Sequence, residues 1–144
     1  MFLGLKSITK TVLLQLLSHP LDTVANYALT HLFRFFNASQ PDWEFIEVML
    51  NSPNKITRKA ILNTIKDHEN KYFNQAKLVE LTALSLQKEI GIWFRKNAQK
   101  FQIENKEKTA LFQQLLTKIR GLKNEVTAEI LYQNSITFFK ESLK

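Results

Sequence analysis

The sequence predicts an all-α protein: a compact helical bundle of about six to seven helices, forming a single domain over residues 1–144. Three observations lead there. Gly and Pro, the residues that punctuate turns, occur only three times each in 144 residues, which suits long helices and short connections better than a many-stranded sandwich. Apolar residues make up 44% of the chain and include eleven Phe, enough to build a core and too many for disorder. These residues recur at helical spacing along most of the chain.

The expected elements follow in order. Residues 4–18 form a first helix with Leu5, Ile8, Val12, Leu13, Leu16 and Leu17 on one face. His19-Pro20 ends it, because the residue before proline avoids the helical region. Residues 21–36 form a second, with a stripe of Leu21, Val24, Ala25, Ala28, Leu29, Leu32, Phe33 and Phe36. A loop over 37–41 precedes a short third helix capped by Asp42, with Glu44 and Glu47 near its positive end. Ser52-Pro53 opens a fourth over 54–73, and a long fifth covers 75–99. Asn105 caps a sixth that stops at Arg120-Gly121, and Asn124 caps a seventh that runs toward Lys144. No internal repeat is visible.

Catalytic and metal-binding signatures are missing from the sequence. His19, His31 and His68 fall in no metal-ligand pattern, and Cys is absent, which removes disulfides and thiolate sites. There is no Gly-rich phosphate loop, no Glu-x-x-His pair and no G-x-S-x-G elbow. The expectation is therefore a protein that is not an enzyme and carries no cofactor. Trp43, Trp93, Tyr27 and Tyr132 have rings that stack on bases, but all lie in apolar helical patterns that suit packing. No apolar run reaches the length of about 18 residues that a membrane-spanning helix needs, and the N-terminal run is broken by Lys6 and Lys10.

What remains is charge. The chain carries +7, yet residues 1–50 hold three basic and four acidic residues, whereas 51–144 hold 17 basic and 9 acidic, or +8. That imbalance points to a polyanionic partner. On the fourth helix Lys55, Arg58, Lys59 and Lys66 share an arc of about 100°, broken by Leu62. On the fifth, Lys77, Lys88 and Arg95 align within about 20°, and Lys96 and Lys100 extend the charge at its end. Most of the fifth helix is apolar on every side, as for a central helix or one covered by another protein. On the sixth, Lys106 and Arg120 flank Gln113 and Thr117, a mixture suited to phosphate and sugar contacts. The bland reading of each stripe is an ordinary solvated face, and cations in a last helical turn also complement the helix dipole.

A small, basic, cysteine-free helical chain with no catalytic signature, in which a long helix Leu78–Lys100 is followed by a short polar connector and the run Leu111–Ile119, resembles the small subunits of CRISPR Cascade-type effector complexes. Those subunits are similar to the C-terminal helical domain of the large subunit. In some systems they are translated from a start inside its gene, which the abrupt helical beginning at Met1-Phe2-Leu3 would suit. The resemblance implies a cytoplasmic protein of antiviral defence whose partners are other effector subunits, copies of itself, target or displaced DNA and guide RNA. It transfers no residue by motif, so the candidate contacts come from charge geometry alone. Two other readings stay open. One is a helical protein-interaction or adaptor module without nucleic-acid binding, suggested by the apolar fifth helix and by Phe33-Arg34-Phe35-Phe36 and Phe138-Phe139. The other is an amphipathic membrane-surface protein, for which the first helix lacks an extended basic face.

Overall fold

The structure, a computed structural model, describes the backbone of residues 8–142 and the side chains of residues 8–140. It is 74% helix. Among the described residues there are nine α-helices and no strand. The all-α class agrees with expectation, and the larger helix count comes from two long expected helices that are each broken. Residues 4–7 of the expected first helix, Lys6 among them, lie outside the described residues, as does Met1-Phe2-Leu3. The chain divides into two compact units, Met1–His68 and Glu69–Lys144.

In the first unit, α1 (Lys10–Leu17), α2 (Asp22–His31), α3 (Trp43–Leu50) and α4 (Lys55–Asp67) pack in the pairs α1·α2, α2·α4, α4·α3 and α3·α1. Those pairs close a ring around Leu13, Leu17, Ala25, Ala28, Phe45, Ile46, Met49, Leu50, Ile61 and Ile65, all fully buried. Thr9 caps α1, its hydroxyl accepting from the Val12 amide at 3.2 Å. The helix ends before His19-Pro20, and His19 Nδ1 accepts from the Leu21 amide at 3.1 Å. The second stripe is shorter than expected: α2 tightens into a 3₁₀ turn at Leu32–Arg34. Asp42 precedes α3 but makes no side-chain cap. Its carboxylate instead accepts from Lys10 Nζ at 3.4 Å, and Glu44 lies 3.1 Å from the same ammonium. The Glu44 contact, more than the charge of Asp42, raises the Lys10 pKa above its ordinary value.

The turn between α3 and α4 is built from buried polar groups. Ser52 Oγ donates to the Leu17 carbonyl at 2.8 Å and accepts from the Asn54 amide at 3.1 Å. Asn54 Oδ1 caps α4 by accepting from the Ile56 amide at 2.8 Å. Its Nδ2 donates to the Pro20 carbonyl at 3.0 Å and to Asp22 Oδ1 at 3.1 Å. Asn54, not Ser52-Pro53, therefore begins the helix.

In the second unit, α5 (Glu69–Tyr72), α6 (Ala76–Ala83), α7 (Lys88–Asn97), α8 (Asn105–Arg120) and α9 (Glu125–Ser142) follow, with a 3₁₀ turn at Ala98–Lys100. The fourth expected helix stops at Asp67 because His68 leaves helical geometry, so Tyr72 belongs to α5 and not to α4. The fifth is interrupted at 84–87, where Ser85 Oγ accepts from the Gln87 amide at 3.2 Å and restarts the chain at Lys88. Such local side-chain bonding competes with the helix ladder. Asn105 is the first residue of α8 and not its cap, a position held by Glu104. Asn124 does cap α9, accepting from the Thr127 amide at 3.0 Å. Phe94, Phe101 and Phe138 meet with centroids 5.9–6.3 Å apart, and Phe73 and Trp93 extend this cluster. The Gln102 amide donates to the Phe73 carbonyl at 2.8 Å and ties the connector before α8 to the turn after α5.

Two substitutions test this account by urea denaturation. Asn54→Ala removes a cap and leaves the Pro20 carbonyl without its donor, and should lower the unfolding free energy by about 2–3 kcal/mol. Thr57 Oγ1 is buried on α4 with no hydrogen-bond partner among the described residues. Thr57→Val keeps the shape without the orphaned hydroxyl, and should raise stability by about 1 kcal/mol.

Candidate nucleic-acid interface

The basic residue that begins α4 sits on an unfavourable ground for local stability. Lys55 is the first residue of the helix, close to the positive end of its dipole, and the first turn holds no acidic residue. A cation there is destabilising, so the dipole explanation that serves for Lys66 in the last turn fails for Lys55. Lys55, Lys59 and Lys66 are all exposed, on the face opposite the buried Thr57, Ile61, Thr64 and Ile65. Among the described residues none of the three has a carboxylate within ion-pairing distance. They span about 16.5 Å of helix axis, and exposed Asn63 stands between them.

Arg58 plays a different part. It is half-buried, and its Nη1 donates to the Ser52 carbonyl at 2.8 Å. It braces the turn before α4. Leu62, which the helical wheel sets inside the basic arc, is half-buried and so does not interrupt the solvent face.

The remaining candidates belong to the second unit. Lys77, Lys88, Arg95, Lys96, Lys100, Lys106 and Arg120 are exposed, but they do not form the stripe expected of one long helix. The interruption at 84–87 puts Lys77 on α6 and Lys88 and Arg95 on α7, so the three-residue alignment is lost. Lys88 and Arg95 keep theirs, on one side of α7. Arg95 Nη1 donates to Asn134 Oδ1 at 2.5 Å, and Lys96 shares the last turn, where both complement the dipole. Lys100 pairs with Glu69 at 3.3 Å and lies 6.0 Å from the Phe73 ring centroid, which occupies much of its charge locally. Lys106 and Arg120 flank Gln113 and Thr117 among the exposed residues of α8, where Lys118 pairs with Glu80. Sequence reasoning did not single out Lys118 or the buried Lys108.

Two of the aromatic residues with rings able to stack on bases make contacts within the fold. Trp93 stacks on Phe73 at 6.0 Å, and Tyr27 meets the buried His31 edge-on at 4.8 Å. His68 caps the end of α4, with Nδ1 3.0 Å from the Thr64 carbonyl. Among the described residues there is no group of three or more His, Cys, Asp or Glu that could hold a metal ion, and no helix is long and apolar enough to cross a membrane. Comparison with known protein families, with curated proteins and with solved structures gives no match for this chain.

Because Lys55 opposes the α4 dipole, Lys55→Gln should raise the unfolding free energy by about 0.3–1 kcal/mol at low salt, with the gain shrinking as salt is added. Thermal melts at two ionic strengths check this.

Proposed function

We propose that this chain is a non-catalytic nucleic-acid-binding protein whose α4 face contacts the phosphate backbone. The observation that carries the reading is the set of exposed cations Lys55, Lys59 and Lys66 on one helix face, with no carboxylate partner among the described residues, one of them placed at a local cost to stability. Cations arrayed along an exposed helix neutralise phosphates and release counterions without reading base edges. The wider excess of 17 basic over 9 acidic residues in 51–144 supports the same class of partner.

In its specific form the reading follows the resemblance to Cascade small subunits. The protein would then be a cytoplasmic component of an RNA-guided CRISPR surveillance complex, joined to other subunits and to copies of itself. It would hold the target or displaced DNA strand by its backbone while pairing with the guide RNA supplies sequence selection. The adaptor reading draws on the fifth expected helix and the two Phe runs; of these Phe36 and Phe138 are buried, Phe33 and Leu86 are exposed, and α9 adds the exposed Val126 and Ile130.

Fluorescence anisotropy with single-stranded and duplex oligonucleotides tests the proposal. Three phosphate contacts give a slope of log K against log salt of about −2 for a single strand and about −2.7 for a duplex. The Lys55→Gln/Lys59→Gln/Lys66→Gln variant should lose most of that slope and affinity while keeping its circular dichroism spectrum. A folded triple variant that binds as the parent does would overturn the assignment to α4.

A further inference from the structure

A groove of about 610 Å³ runs along the second unit between α7 and α9. Its walls include Leu86 and Ile130, which are 73% and 52% exposed, and α9 continues the apolar surface through Val126, 72% exposed. Lys88, Gly91 and Arg95 lie along the α7 side, and the fully buried Asn134 lies on the α9 side. The groove shares no α4 residue with the nucleic-acid reading.

Gly91 is the informative residue. Glycine inside a helix is about 1 kcal/mol less favourable than alanine. Here the backbone does not require it, since no glycine among the described residues has positive φ. Space does not require it either. A Cβ at 91 would lie 3.4 Å from Asn134 Nδ2 and 3.6 Å from Arg95 Nη1, ordinary van der Waals contacts. Gly91 itself is buried, and its missing side chain leaves room for the Arg95 guanidinium to cross onto Asn134, so a large residue at 91 would push both groups into the groove.

The charges around that point have a helical repeat. Lys88 and Arg95 are seven residues apart, so they lie within about 20° on α7 and about 10.5 Å apart along its axis. Lys88 is the first residue of α7, where a cation opposes the dipole. Among the described residues it has no carboxylate partner. Arg95 gives one donor to Asn134, and a guanidinium has five. On the opposite wall stands Ile130, and the exposed Val126, outside the groove lining, precedes it by four residues on α9, the spacing that meets an apolar helix stripe.

We propose that this groove docks an amphipathic helix of a partner protein carrying Asp or Glu at positions i and i+7. The acids pair with Lys88 and Arg95, and the apolar stripe covers Leu86 and Ile130 in the groove and reaches the exposed Val126 beside it. Glu129 lines the α9 wall and repels an acid there, which confines the partner's carboxylates to the α7 side and sets its orientation. Phosphate backbones fit poorly, because the walls are apolar and Glu129 opposes them. A second copy also fits poorly, because no α-helix here carries acidic residues seven apart.

The probe is a labelled helical peptide of about 20 residues, long enough to span about 30 Å, with apolar residues at i+3 and i+4 and Glu at i and i+7. A control carries Lys in place of both Glu. Anisotropy with the full chain should show the Glu peptide binding at least about tenfold tighter, or about 1.4 kcal/mol. Lys88→Glu should reverse that preference. Gly91→Leu should abolish binding, and Gly91→Ala should weaken it while raising the melting temperature, which keeps the test decisive if the leucine variant misfolds. Equal affinity for the two peptides, no saturable binding of the Glu peptide, or undiminished binding by folded Gly91 variants would each overturn the proposal. So would sedimentation showing a dimer that Gly91→Ala dissociates, since a second copy would then fill the groove. Oligonucleotide affinity measured on the Gly91 variants should stay unchanged, whereas the α4 triple variant should lose it and keep the peptide, so the two proposals fail separately.

Discussion

The first unit turns on a single buried side chain amide. Asn54 is 3% exposed, yet it uses both ends of its polar group: the oxygen starts α4, and the nitrogen reaches back to Pro20 and Asp22. Ser52, bonded to the Leu17 carbonyl, holds the same turn against the end of α1. Buried polar groups of this kind carry a heavy penalty unless every partner is present. The network therefore fixes not only that α4 begins at Lys55 but which way its first turn faces. The lysines inherit their direction from it, and Arg58 is drawn out of their row because it bonds the same turn.

The second unit has a polar anchor of similar chemistry in Asn134, which accepts from Arg95 and donates to the Ala83 carbonyl at 3.2 Å. It joins α9 to the end of α6 and to α7. Around it the structure is apolar and aromatic, with Phe94 and Phe138 completely buried. Rigid walls of this sort are what leave the α7–α9 groove open: Leu86 and Ile130 point away from a core that is already full.

The class of the fold was legible because it depends on composition and period, and both are simple here. The helix breaks were not. Nothing in the usual turn vocabulary marks His68 or 84–87, for Gly and Pro are absent from both. Ser85 was the available signal, a hydroxyl able to bond two residues ahead, but it sits within an apolar run that reads as continuous helix. The error propagated: once the long fifth helix divides, a stripe of Lys77, Lys88 and Arg95 becomes one residue on α6 and two on α7. The α4 face survived because its residues lie within one unbroken helix. Gly91 carried no meaning in sequence, since its significance lies in the Arg95 and Asn134 side chains that lie across it.

The pairing of helices within each unit also has a kinetic side. Several of the close partners, α1 with α2, α3 with α4, α6 with α7 and α8 with α9, are neighbours in the chain. Contacts so local require little loop closure before they repay it, and chains built this way fold quickly. The buried polar bonds reach further: Asn54 spans 34 residues to Pro20 and 32 to Asp22, Ser52 spans 35 to Leu17, and Asn134 spans 51 to Ala83. They can form only when two helical hairpins have already met, which makes them a lock set late in folding rather than a seed for it.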